Sequence, residues 1–134
     1  MLLHCSKLKP VHEGESFKHL RVGDLYVRYQ VDDLEYEHVD GRFVILADTI
    51  IDKSRADQFD AAANEVARSL KTDSPLPAFL SAYFLIVLDK HTGAVRLLRD
   101  PTGIKTGYYC RADESLFVGT CVHEVASAAG VTEF

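Results

Sequence analysis

The chain has 134 residues, of which 47% are hydrophobic and 26% are charged, as in an ordinary folded domain with one core. The net charge is −5 and the 15 basic residues are spread along the chain. This argues against nucleic acid or an anionic membrane as a partner, because both bind a concentrated basic surface. The sequence also has no apolar segment long enough to span a membrane. No signal peptide is evident, and three cysteines without a C-x-x-C pair fit free thiols. A cytoplasmic location is expected.

Short strands are predicted in the first half. Residues 24–31 alternate between apolar and polar side chains. One face of this strand carries Leu25, Val27, Tyr29 and Val31. The run 43–46 has four consecutive apolar residues, which is typical of a strand covered on both faces.

A helix is predicted after these strands. Ser54 can cap it, with Asp57 three residues later in a pattern like a capping box. Apolar residues then follow at helical spacing: Ala56, Phe59, Ala63, Val66 and Leu70. One stripe of this helix should therefore pack inward, and residues 71–75 end it.

The second half predicts a hairpin, two more strands and a short helix. Residues 83–88 form a strongly apolar strand, residues 89–93 a hairpin loop, and residues 94–99 the returning strand. Strands at 107–110 and 116–120 and a helix at 123–129 follow. Many strands with one or two helices predict an α+β layered domain.

Residues 98–109 carry a resemblance. They read Leu-Arg-Asp-Pro-Thr-Gly-Ile-Lys-Thr-Gly-Tyr-Tyr, which is similar to Ala-Arg-Asp-Pro-Leu-Gly-Ile-Lys-Pro-Leu-Tyr-Tyr of asparagine synthetases. The identical residues are Arg99, Asp100, Pro101, Gly103, Ile104, Lys105, Tyr108 and Tyr109. The preceding hairpin and the segment 116–122 also resemble the family, so that about a third of the chain is covered.

The resemblance implies one domain over residues 1–134, of the class II glutamine amidotransferase type. Its implied fold is the N-terminal-nucleophile (Ntn) fold, with two stacked antiparallel sheets flanked by helices. In that family the motif at 99–109 is structural and lies between domains. The alternative is that Arg99, Asp100 and Lys105 form a surface ion-pair cluster around a turn.

The family's glutaminase chemistry is not expected here. It needs an N-terminal cysteine whose own α-amine acts as the base, whereas removal of Met1 would expose Leu2. Cys5 is a weak catalytic candidate, available only if residues 1–4 are cut away. Cys5-Ser6-Lys7 also replaces the family's Cys-Gly-Ile, so we interpret Cys5 as a strand thiol.

The oxyanion position is degenerate as well. The family's Asn-Gly-Glu motif corresponds by position to Ala47-Asp48-Thr49. Alanine has no side-chain donor, and losing one such donor costs on the order of 10²–10³ in rate. The family's Arg-Gly-Pro-Asp motif has no counterpart, and Asp73 gives only weak support for a retained glutamine-amine contact.

No cofactor is expected in this chain. Cys110, Cys121 and His123 raise the possibility of a metal, but a fourth ligand and the usual paired spacing are missing, so we interpret them as two buried strand cysteines and a helix-start histidine. The family's Ser-Gly-Gly-x-Asp-Ser motif for ATP is also absent from the sequence. ATP and Mg are therefore expected only in a partner synthetase.

These observations lead to a functional hypothesis. The sequence stops where the family's synthetase domain begins, which suggests either a separate subunit or a domain of a longer chain. Relatives that lack the cysteine include β-lactam synthetases and lasso-peptide lactam synthetases. The hypothesis is a pseudo-glutaminase that supports an asparagine-synthetase-like ATP-binding amide (lactam) ligase in natural-product or modified-peptide biosynthesis, with a peptide or small-molecule substrate at the interface. The alternatives are a glutamine amidohydrolase using processed Cys5 and a free-standing binding module.

Overall fold

The computed structural model describes residues 1–7, 17–31, 35–49, 56–72, 83–99, 105–112 and 114–130. These ranges contain nine strands and two helices. The strands are β1 (Leu2–Ser6), β2 (Lys18–Val22), β3 (Leu25–Gln30), β4 (Tyr36–Val39), β5 (Phe43–Thr49), β6 (Tyr83–Asp89), β7 (Val95–Arg99), β8 (Tyr108–Ala112) and β9 (Ser115–Gly119). The helices are α1 (Ala56–Thr72) and α2 (Val122–Ala128).

The strands form two antiparallel sheets. The first has the order β2-β3-β1-β9-β8 and the second the order β4-β5-β6-β7. In the first sheet β1 is the central strand, between β3 and β9. The start of the chain therefore holds together strands from both halves of the sequence.

The two sheets share one apolar cluster. Leu3, Val27 and Val118 of the first sheet and Val44 and Leu46 of the second are all buried in it. Successive residues of a strand point to opposite faces. The residues that alternate with these five along their strands therefore point to the outer faces of the sheets. The main core is thus a layer between the sheets.

Each outer face is covered by a helix. On the second sheet, Ile45 and Leu85 pack with Ala63 and Val66 of α1. On the first sheet, Leu2 and Phe117 pack with Val125 of α2. In the described residues, α1 thus packs on the second sheet and α2 on the first.

The α+β prediction is confirmed at this level, and so are several of its details. Val27 and Tyr29 face the core together, as the alternation predicted. β5 is covered on both faces, because Val44 and Ile45 belong to different clusters. Gly93 has a φ of 76° in the hairpin loop, where it supplies the left-handed conformation. Ser54 lies outside the described residues.

Four expectations need correction. Helix α2 begins at Val122 and ends at Ala128, one residue earlier than predicted at each end. Cys121, interpreted as a buried strand cysteine, is exposed and occupies the N-cap of α2. The strand predicted at 116–120 is β9, which ends at Gly119, one residue before the predicted end at Thr120. Cys110 lies in strand β8 as interpreted, but it is half-buried and not fully buried.

Helix α1, at 17 residues, is the longer of the two described helices. Among the described residues neither helix has the length and apolarity required to cross a lipid bilayer.

Candidate functional site

The motif that carries the resemblance lies at the outer strands of both sheets. Arg99 ends β7 and is exposed. Tyr108 and Tyr109 begin β8, with 40% and 65% of their surface exposed. Lys105 lies just before β8 and is half-buried. The remaining motif residues, Asp100, Pro101, Gly103 and Ile104, lie outside the described residues.

Arg99 and Tyr109 lie on the inner faces of their sheets. Arg99 is opposite Phe84 and Tyr109 is opposite Val118, and both partners belong to the cluster between the sheets. Directly opposed residues share a face, yet Arg99 and Tyr109 are exposed. Leu97, on the same face of β7 as Arg99, is 37% exposed. The inner faces of both outer strands are therefore open to solvent here.

The degenerate oxyanion position contacts this motif. Asp48 Oδ1 lies 3.3 Å from Lys105 Nζ, and both side chains are partly exposed. Ala47 is fully buried and packs in the cluster with α1, so its methyl group points away from the space between the sheets. Asp48 therefore contributes a structural ion pair between β5 and the segment before β8, and Ala47 contributes packing.

We predict a small stabilisation from this ion pair. Partly exposed pairs contribute roughly 0.2–1 kcal/mol. A double-mutant cycle of Asp48→Asn and Lys105→Gln, measured by urea unfolding, should give a coupling energy in this range that falls as salt is raised. Additive effects of the two substitutions would show that the pair contributes no coupling.

Gly107 allows the segment after Lys105 to cross the edge of the core. A Cβ on Gly107 would overlap the ring of Phe84. The Phe84 ring is buried between the sheets, so it has little room to move. The link from the second sheet to the first therefore requires glycine at this position.

Gly107→Ala is expected to destabilise the protein by about 1–3 kcal/mol, as overpacking does. In a Phe84→Leu background, Gly107→Ala should cost less than it does in the wild type. The smaller side chain of leucine makes room for the added methyl group. Gly41→Ala is the control, since nothing lies within 4 Å of a Cβ there. Equal losses for Gly107→Ala in both backgrounds would contradict the account. Thermal unfolding measures all of these variants.

Cys5 lies in the middle of the central strand. It is opposite Val27 on one side and Leu116 on the other, and its side chain is buried between the sheets. Burial raises the pKa of its thiol to about 11, which leaves little thiolate at neutral pH. Removing residues 1–4 would also remove most of β1. These features favour a structural role for Cys5.

A buried polar cluster at the start of β1 was not foreseen. The α-ammonium of Met1 lies 2.7 Å from Glu35 Oε1, with both groups almost fully buried. The same ammonium donates to Thr120 Oγ1 at 3.3 Å, and Thr120 Oγ1 donates to Glu35 Oε2 at 3.1 Å. In the sequence Glu35 resembles any acidic residue near a turn, and no signal identified it.

A second buried cluster surrounds His4. Its ring stacks on Phe117 with centroids 4.2 Å apart. Arg28 Nε donates to His4 Nδ1 at 3.0 Å, and His4 Nε2 lies 3.2 Å from Ser115 Oγ. Burial, and then the charge of Arg28, lower the pKa of His4 to about 4. His4 is therefore neutral at neutral pH, with its proton on Nε2.

Comparisons with known proteins add no family to this picture. No family model, curated protein or solved structure matches the chain. In the described part of the chain, no three His, Cys, Asp or Glu side chains are grouped so that they could hold a metal ion.

Proposed function

We propose that this chain is a non-catalytic, glutaminase-like domain that docks on an ATP-dependent amide ligase of the asparagine-synthetase type. The proposed fold is of the Ntn class. Support for it comes from the packing of α1 on the second sheet and of α2 on the first and from the motif resemblance at 99–109. The domain would stabilise the synthetase half and shape the entrance for its peptide or small-molecule substrate.

The absence of glutaminase chemistry is supported by the residues at the corresponding positions. Met1, at the start of the central strand, has no nucleophilic thiol or hydroxyl group, and its amine is paired with Glu35. A protonated amine held by a carboxylate is not available as a base. Ala47 packs toward α1 and the charge of Asp48 is paired with Lys105. Neither the Ala47 nor the Asp48 side chain therefore offers an oxyanion donor between the sheets.

One observation supports docking most directly: Leu97, Arg99, Tyr108 and Tyr109 are exposed on the outer strands of the two sheets. We call these four residues the edge surface. Tyrosine and arginine are enriched at protein interfaces and at their energetic hot spots. The partner that the resemblance implies is the ATP-binding half of the ligase, as a separate chain or as part of the same polypeptide.

The edge surface can be tested by affinity capture from the native host. The tagged chain should retain a protein that carries the Ser-Gly-Gly-x-Asp-Ser motif, identified by mass spectrometry. Arg99→Ala/Tyr109→Ala should reduce this retention at least about tenfold, which corresponds to a loss of about 1.4 kcal/mol. Arg96→Ala is the matched control, since Arg96 is exposed on β7 but lies opposite Val87, on the face of α1.

Two results would count against the proposal. One is the absence of any ATP-binding synthetase, either among the retained proteins or in a longer polypeptide that contains this sequence. The other is ammonia release from glutamine that is abolished by alkylation, from a mature chain that begins at Cys5. That second result would establish the amidohydrolase alternative.

A further inference from the structure

We propose that a cleft between the two sheets binds a small α-amino acid with an apolar side chain. The cleft has a volume of about 360 Å³. Its wall includes Cys5, Leu25, Val95 and Leu116, and its rim includes Arg111 and Glu114. This site is independent of docking through the edge surface, and neither result would decide the other.

The wall of the cleft is apolar and comes from both sheets. Cys5, Leu25 and Leu116 belong to β1, β3 and β9 of the first sheet, and Val95 belongs to β7 of the second. All four also belong to, or pack against, the cluster between the sheets. A buried, protonated cysteine behaves as a small apolar side chain. The cleft is therefore a local opening of the main core, suited to an aliphatic group.

Arg111 places a positive charge on the inner face of the first sheet, beside the cleft. It is opposite Leu116 in the pairing of β8 with β9, and Leu116 packs against the core between the sheets. The inner face, which is apolar on the neighbouring strand β9, thus carries a guanidinium at this position. In the described part of the chain this side chain makes no ion pair or side-chain hydrogen bond. A guanidinium without such partners beside an apolar cleft is available to bind an anionic group of a ligand.

Glu114 provides the opposite charge on the same rim. It is exposed, and within the described ranges its carboxylate also makes no ion pair or hydrogen bond. A guanidinium binds a carboxylate through two parallel hydrogen bonds, while a carboxylate attracts an ammonium group. One cation and one anion above an apolar wall match a zwitterion with an apolar tail. A simple fatty carboxylate fits less well, because Glu114 would repel it.

The volume limits the size of the ligand. Pockets for small molecules generally span about 300–1,000 Å³, and this cleft lies near the lower end of that range. An amino acid of the size of leucine fits such a space. A long peptide does not.

The test is a titration of the ¹⁵N-labelled protein with L-leucine, followed by NMR. Leucine should shift amide signals of residues 111–116 and 93–95 in a saturable manner. Hexanoate and hexylamine each carry only one of the two charges, and both should bind at least about tenfold more weakly. Arg111→Gln should weaken leucine binding roughly tenfold, because it removes the charge-assisted pair. Arg96→Gln, on the other face of β7, should leave binding unchanged.

Cys5 supplies a second readout, because it lines the cleft and a bound ligand should shield its thiol. In Cys110→Ser/Cys121→Ser protein, leucine should slow alkylation of Cys5 at pH 9 by at least about threefold when the site is mostly occupied. Val95→Phe should fill the cleft and abolish both the NMR shifts and this protection. The proposal is overturned if leucine causes no saturable shift, if hexanoate binds as tightly, or if Arg111→Gln leaves binding and protection unchanged.

Discussion

Replacing Glu35 with alanine should lower the free energy of unfolding by about 3–5 kcal/mol, the usual cost of removing one partner of a buried ion pair. The substitution leaves the Met1 ammonium buried without its counter-charge, since the two groups lie 2.7 Å apart and are almost fully buried. It also removes the acceptor of the Thr120 hydroxyl. Urea unfolding at pH 7, followed by circular dichroism, measures the loss.

Two further variants show whether the loss arises from the buried charge. Glu65→Ala removes an exposed pair with Arg68 on α1 and should cost less than about 0.5 kcal/mol. Thr120→Val removes one hydrogen-bonding group and should cost an intermediate amount, about 1–2 kcal/mol. A loss for Glu35→Ala no larger than that for Glu65→Ala would contradict the buried ion pair.

The stability of the protein should fall between pH 6.5 and pH 4 because of His4. The pKa of His4 is about 4 in the folded protein, against an ordinary value of 6.5. The unfolded chain therefore binds more protons in this window, so that the stabilisation is complete above pH 6.5 and is lost as the pH falls toward 4. A shift of this size corresponds to about 3 kcal/mol. The main physical cause is that burial disfavours the charged imidazolium; in addition, protonation of Nδ1 would break the hydrogen bond from Arg28 and place two cations together.

His4→Gln should remove most of this pH dependence, because its amide does not titrate and still offers an acceptor to Arg28. His91→Gln is the control, because His91 is exposed in the hairpin loop. Urea midpoints at pH 7, 6, 5 and 4.5 would give the slopes for all three proteins. Equal slopes for the wild type and His4→Gln would show that His4 does not control stability in this window.

The strongest local patterns predicted their elements well. Residues 83–99 were predicted to form a hairpin, and β6 and β7 do so. The prediction was possible because the paired residues are close in sequence. The apolar run at 43–46 indicated coverage on both faces, which β5 has. By contrast, β1 is a five-residue strand, and its position between β3 and β9 depends on pairings with distant residues. Periodicity does not reveal such partners.

The candidate sites depend even more on long-range contacts. The pair of Asp48 with Lys105 joins residues far apart in the chain, so each looked like an isolated surface charge. Arg111 lies in the sequence Tyr-Tyr-Cys-Arg-Ala, which has no apolar–polar alternation that would assign its face. Its significance appears only when β8 is paired with β9 and placed at the edge of the core. The cluster around Glu35 likewise forms only because Met1 and Thr120, which are far apart in the sequence, meet beside Glu35.

The most direct test of the proposed function is the rate of ATP-dependent amide formation by the purified synthetase half, measured with and without this chain. We expect the rate to depend on the chain and to be unaffected by glutamine, because the chain supports the ligase without supplying ammonia. The Arg99→Ala/Tyr109→Ala variant should fail to support the reaction, whereas Arg96→Ala should support it fully. A full rate without the chain, or a rate that requires glutamine, would contradict the account.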